Sequence, residues 1–175
     1  MDANKAIKQN NAKNDDTVNT VTVKGLYSID VPAFLSPRTE GAKEDSLSYS
    51  NNTLDIGMVV IDEPKQEVIE ATKHLKRKQD ESYLDIMARL CIMNMFEDPD
   101  KMELGDYDDS PINGLPALTL NAFQKATFFK DGLFVCFGFI EGKEHFYQVV
   151  ITLGGSSIEK LTDKMCDVIR TFKEL

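Results

Sequence analysis

Two short runs near the amino terminus, Val21-Thr22-Val23 and Tyr27-Ser28-Ile29-Asp30-Val31, alternate apolar with polar side chains and flank Lys24-Gly25. Successive side chains of an extended chain point to opposite faces, so this alternation predicts two half-buried strands. Pro32, which has no amide to donate to a ladder, closes the second. The same alternation over Ser46 to Ser50 and Leu54 to Ile61 predicts a hairpin around Asn51-Asn52, whose tight turn uses the asparagines' tolerance of positive φ.

At Glu63-Pro64 the period changes. Proline at a helix's first position gives up no hydrogen bond, and Val68, Thr72 and Leu75 follow at helical spacing. The polar stretch from Lys76 to Glu81 interrupts the pattern. Ser82, with Asp85 three residues on, restarts it with an apolar stripe of Tyr83, Ile86, Met87, Leu90 and Met93. Two consecutive helices and one broken helix fit this pattern equally well.

An acidic stretch from Glu97 to Asp109 reads as a charged turn before the next strand, which Asn113-Gly114 introduces and which runs from about Pro116 to Phe128. After a turn at Lys130-Asp131-Gly132, Leu133 to Ile140 and His145 to Leu153 form the longest and most apolar hairpin, joined through Glu141-Gly142-Lys143. Continuous apolar runs need cover on both faces, so this hairpin is expected at the centre of the sheet. Gly154-Gly155 ends it. Ser156 with Glu159 is expected to form a capping box for a last helix, whose stripe is Ile158, Leu161, Met165, Ile169 and Phe172.

Strands, helices, antiparallel strands and a terminal helix do not make the strict strand–helix alternation of a parallel sheet. The order predicts one α+β domain over residues 20–175, a curved antiparallel β-sheet flanked by helices. A flexible leader, rich in Asn, Lys and Asp, is expected over 1–19.

Several of these segments resemble a known family. Tyr27-Ser28-Ile29-Asp30-Val31-Pro32, Ile112-Asn113-Gly114-Leu115-Pro116-Ala117, Gly142-Lys143-Glu144-His145-Phe146-Tyr147-Gln148 and Ile169-Arg170-Thr171-Phe172 are similar to segments of the PsbP-like domains. Those domains share their fold with a Ran-binding nuclear-import factor of yeast and with DcrB-type bacterial proteins. The resemblance spans about Val23 to Leu175 and implies a PsbP-like α/β/α sandwich. It also implies a non-enzymatic accessory or binding role, since members of the family support photosystem assembly in one branch and engage a small GTPase in another. The sequence looks most similar to the uncharacterised bacterial branch, whose members are often secreted or lipid-anchored. Each resembling segment is a turn, a strand start or a core stripe, so the resemblance speaks to fold before activity.

Composition changes little: 42 % hydrophobic and 28 % charged residues are ordinary globular values, and 175 residues suffice for one core. Charge changes more. A net charge of -9 and a pI near 4.7 repel phosphate backbones and anionic leaflets at long range, which argues against nucleic acid as a partner and leaves a protein surface or a cation. The longest apolar stretch, Leu133 to Ile140, falls short of the ~20 residues of a spanning helix, so no transmembrane segment is expected. The leader has no apolar signal core. As written the chain reads as cytoplasmic, and a removed signal segment would make it periplasmic or lipid-anchored. The three cysteines, Cys91, Cys136 and Cys166, have no C-x-x-C or zinc spacing, cannot all pair within one chain, and sit among apolar neighbours. They are read as buried thiols.

His74 and His145 have no partner at a ligand spacing, no nucleophile elbow appears, and Gly154-Gly155-Ser156-Ser157 belongs to no phosphate-loop motif. Neither a metal nor a cofactor is expected. The most distinctive polar feature is the acidic stretch, which lacks the ordered ligands of an EF-hand. Asp98, Asp100, Glu103, Asp106, Asp108 and Asp109 are the candidate partner surface. Lys73, Lys76, Arg77 and Lys78 are expected to be balanced by Asp80 and Glu81. The function expected is a non-enzymatic accessory domain that binds an unidentified protein partner. Two alternatives are a small hydrolase whose Asp and Glu residues are assembled by folding, and a carrier of a small apolar ligand lined by Met87, Met93, Met95 and Phe96. An exposed apolar patch, clustered carboxylates with raised pKa values, or an enclosed cavity would mark the three in turn.

Overall fold

A computed structural model describes residues 16–38, 45–96, 101–125 and 132–175. The first two strands are β1 (Val18–Val23) and β2 (Tyr27–Pro32), paired antiparallel across the turn at Lys24 and Gly25, both at positive φ. The expected leader lies outside the described residues up to residue 15. A two-residue strand β3 (Ser36–Pro37) then precedes the hairpin β4 (Asp45–Asn51) and β5 (Ile56–Pro64). Its turn is longer than expected: Asp55 supplies the positive φ, and Asn51 instead accepts from the amides of Thr53 and Leu54.

The ambiguous middle resolves into two helices, α1 (Lys65–Thr72) and α2 (Tyr83–Met95). Pro64 is the N-cap of α1, one position earlier than expected, because it also ends β5. The acidic stretch is not merely a turn. Met102–Asp108 forms a strand, β6, which pairs with β7 (Ala117–Gln124) through an irregular step between Leu104 and Tyr107. The strand β7 is followed by β8 (Leu133–Glu141), β9 (His145–Gly154), α3 (Ser157–Ile169) and the short β10 (Lys173–Glu174).

Among the described residues all strand pairs are antiparallel, seven strands making one open sheet in the order β3-β4-β5-β9-β8-β7-β6, and β1-β2-β10 a smaller one. The apolar hairpin β8–β9 lies at the centre, and its continuous run is explained by cover on both faces. Val135, Phe137, Phe139, Phe146 and Val150 face a core shared with α1 and α2 through Val68, Leu84, Met87 and Phe96. Cys136, Ile140, Tyr147, Val149, Ile151 and Leu153 face the opposite core, shared with α3 and the small sheet through Met165, Ile169, Tyr27 and Ile29. Each of the largest side chains buried here contributes about 2–3 kcal/mol, so these two cores carry the fold.

Three further expectations fail in detail. Helix α2 buries Leu84, Ile86, Met87 and Ala88, leaving Met93 exposed, so its inward face is turned from the stripe expected. Ser156 is the N-cap of α3 but lies in helical φ/ψ and makes no side-chain cap; Ser157 instead turns inward and donates to the carbonyl of Leu54. Cys136 and Cys166 are not thiols: they form a disulfide between β8 and α3. Only the layering brings them together, since 30 residues separate them in sequence.

Candidate functional site

The start of α2 is fixed by a reciprocal cap. The amide of Asp85 donates to Ser82 Oγ at 3.1 Å, and the amide of Ser82 donates to Asp85 Oδ2 at 2.9 Å, the box that Ser82 and Asp85 announce in the sequence. With Leu84, Met87 and Ala88 turned to the sheet, Arg89, Ile92 and Met93 face sideways toward the end of the sheet. There β6 is the last strand, and on it stand Leu104 and Tyr107.

Between helix and strand runs a groove of about 590 Å³, lined by Arg89, Ile92, Met93, Leu104, Tyr107 and Leu120 among others. Met93 is 65 % exposed and Leu104 and Tyr107 are each 59 % exposed. Three large apolar side chains held in water around one groove are unusual, because each forgoes burial worth about 1.5–3 kcal/mol. Tyr107 crosses the groove: its hydroxyl donates to the Asp85 carboxylate. Partial burial of that hydroxyl, the bond to Asp85 and the charges of Asp85 and Asp109 push the phenol up to about 12. Burial also pushes the Asp85 carboxyl up, but the bonds from Ser82 and Tyr107 outweigh it and hold Asp85 below the usual carboxylate range.

In the wall of the groove Arg89 makes a two-pronged pair with Glu81, Nε to Oε1 at 3.0 Å and Nη2 to Oε2 at 3.3 Å. That bond, with the Lys78 amide, holds the Glu81 carboxyl low. The charges of this region are balanced within the chain, in part by partners other than Asp80 and Glu81. Glu81 takes Arg89, Lys73 pairs with Glu70, and the Arg77 guanidinium stacks 4.3 Å from the Tyr83 ring centroid.

The structure divides the predicted acidic surface. Asp98 and Asp100 lie outside the described residues. Glu103 is exposed on β6 and pairs with Lys125 at 2.7 Å. Asp106 lies in the irregular step of β6. Asp108 pairs with Arg170 and accepts from the Ser110 amide at 2.8 Å, and bonds from Ser110 together with Arg170 hold its carboxyl low. Asp109 is exposed. Much of this charge is thus committed within the chain, and the features that sequence reasoning missed are the apolar residues between the acids. Met102, Leu104 and Tyr107, interleaved with Glu103, Asp106 and Asp108, carried the signal of an edge strand.

The carrier's residues do not share one space: Met87 and Phe96 are buried in the core, whereas Met93 and Met95 lie at the surface. A larger depression of about 810 Å³ lies at the opposite end of the sheet, lined by Arg38, Asn52, Asp55 and Thr152. Its walls are turn residues and strand ends. Among the described residues no group of three or more His, Cys, Asp or Glu could hold a metal, and no helix is long and apolar enough to cross a membrane.

Neither a protein-family model nor a curated protein matches the sequence. Solved structures do match the fold. Cyanobacterial PsbP (CyanoP) from Synechocystis superposes with a TM-score of 0.61 at 10 % identity, over 91 % of this chain and 93 % of that one. The Ran-binding protein Mog1p of Saccharomyces cerevisiae superposes with a TM-score of 0.58 at 12 % identity, over 90 % of this chain and 95 % of that one. A point mutant of Mog1 gives 0.57 at 11 % identity, with 90 % and 95 % covered. At such identities the likeness is one of architecture, and it extends through nearly the whole of each chain. With its antiparallel sheet covered by helices and its agreement with both structures, the chain has the PsbP/Mog1-like fold.

Proposed function

We propose that this protein is a non-enzymatic, protein-binding accessory domain that holds its partner along the groove between α2 and β6. The observation that carries the reading is the cluster of exposed Met93, Leu104 and Tyr107 on an otherwise ordinary acidic surface. Apolar patches rimmed by polar groups are the usual form of a protein interface, with a tyrosine near the centre as the common anchor. Of the acidic residues, Glu103, Asp108 and Asp109, which neighbour Leu104 and Tyr107 in the chain, then supply the rim, and the partner brings apolar side chains edged with cationic ones. Mog1p, which shares the fold, is itself a Ran-binding protein, in keeping with a binding role for such a domain.

A hydrolase reading is less well supported. Acid–base catalysis by carboxylates calls for a raised pKa on one of them, and Glu81, Asp85 and Asp108 are all held low. Each is tied to a neighbour by its own hydrogen bonds.

Affinity capture from native extract tests the proposal, comparing the full chain with Met93→Ser/Leu104→Ser and with Glu103→Gln/Asp109→Asn. The partner is expected to be lost with the apolar pair changed, by at least about tenfold in affinity, and weakened less with the rim changed. Full retention by the Met93→Ser/Leu104→Ser variant would move the site elsewhere.

A further inference from the structure

The cross-link between Cys136 and Cys166 joins the inner strand β8 to α3 with the two Cα atoms 5.7 Å apart. Cys136 is fully buried. Cys166 is half-buried and lines a pocket of about 220 Å³ beside Asn121 and Arg170. The surrounding fold is shaped to this approach. A Cβ placed on Gly138 would stand 2.3 Å from Ile169 Cγ2, so only glycine lets α3 lie this close to β8. Gly138 follows Cys136 by two residues on the same strand face, and Ile169 follows Cys166 by three on the same helix face. Strand and helix are therefore matched at two successive points, one covalent and one steric.

Cys91 takes no part. It is free, and burial pushes its thiol up to about 11, which leaves too little thiolate to exchange with the cross-link from within the chain.

We infer that Cys136–Cys166 is a permanent structural cross-link acquired in an oxidising compartment, and that the domain is an exported protein. In forming it the two thiols lose two protons and two electrons to the disulfide of a thiol oxidoreductase, which departs as a dithiol. Reversal needs an external thiolate to bond one sulfur while the other leaves with the electron pair. Attack at Cys166, the less buried residue, expels Cys136 as a thiolate into the apolar space between β8, Met165 and Ile169, where a charge is disfavoured. The folded state thus resists reduction. A cross-link so placed serves a protein that lives where thiols are oxidised, since the cytosol of most cells keeps them reduced. Of the compartments open to the sequence, the exported one follows.

Two measurements test this. Native cells are quenched in acid, the chain is alkylated under denaturing conditions, and its intact mass is read before and after reductant. One alkylated cysteine before reductant and all three after are expected; three before reductant, or a mixed population, would overturn the inference. The full chain is also produced in a reducing bacterial cytosol and, separately, exported to a periplasm. The cross-link is expected only in the exported material, and its quantitative formation in the reducing cytosol would overturn the compartment assignment. Neither measurement depends on the groove.

Discussion

The side-chain amide of Asn113 donates to the main-chain carbonyl of Phe172 at 2.7 Å and reaches that of Arg170 at 3.2 Å. The segments that carry the family resemblance meet at this carboxy-terminal stretch. Phe172 stacks on Tyr27 with ring centroids 5.1 Å apart and lies 4.8 Å from Tyr147. Glu174 accepts from the Lys143 amide at 2.8 Å and from the Tyr147 hydroxyl at 3.3 Å, beside Gly142, where a Cβ would meet that carboxylate at 2.1 Å. Strand β10 pairs with β2, and the Leu175 amide donates to Leu26. Motifs scattered along the sequence thus form one clamp that docks the chain end, which is why they speak to fold and not to chemistry.

Asn113 serves the clamp twice, since it also sits at φ 49°, where glycine, asparagine and aspartate are most at ease. Asn113→Gly keeps that conformation and loses the bonds, and is expected to cost about 1 kcal/mol in urea unfolding. Asn113→Ala loses both and is expected to cost about 2–3 kcal/mol. Equal losses for the two would contradict the conformational part.

Gly138→Ala tests the seating of α3 on β8. Alanine in a strand interior is ordinarily favoured over glycine by about 0.5–1 kcal/mol. Here the added methyl meets Ile169 at 2.3 Å, and a net loss of about 1–3 kcal/mol is expected. Ile169→Leu, which lacks the Cγ2 branch, should in the same chain recover part of it, and an unchanged or raised stability of Gly138→Ala would show that the contact is soft.

Alkaline pH probes the tyrosines of the same core. Burial, offset in part by the Ser46 hydrogen bond and aided by the Asp62 charge, pushes Tyr27 up to about 12. A folded pKa above the unfolded value of about 10 means that the contribution of Tyr27 to stability is complete below pH ~10 and is lost as pH rises toward about 12. Ionisation of Tyr27, followed by the resonances of its own ring, should therefore appear together with loss of tertiary signal, and Tyr27→Phe should shift that transition upward. A Tyr27 phenolate in a chain that keeps its tertiary signal would contradict this.

The sequence was most legible where local pattern and global burial agree. The β8–β9 hairpin announced its central place because both of its faces are covered, and Ser82 with Asp85 announced a cap made entirely within one turn. It was least legible where a partner comes from another layer. Cys136 meets Cys166, and Ser157 meets Leu54, only once the sheet has formed, and local spacing carries no trace of either. The groove lay between these cases. Leu104 and Tyr107 were visible, but the acids around them dominated a reading in which charge means solvated turn, whereas an edge strand tolerates charge on its open side.

The most direct test of the binding groove is photo-crosslinking from single positions. A benzophenone amino acid is placed at Leu104 in one full chain and at Thr53, on an exposed turn at the far end of the sheet, in another. The account predicts one discrete adduct from position 104 in native extract, absent from position 53 and lost when Met93→Ser is added. Adducts from position 53 but not 104, or equal labelling from both, would contradict it.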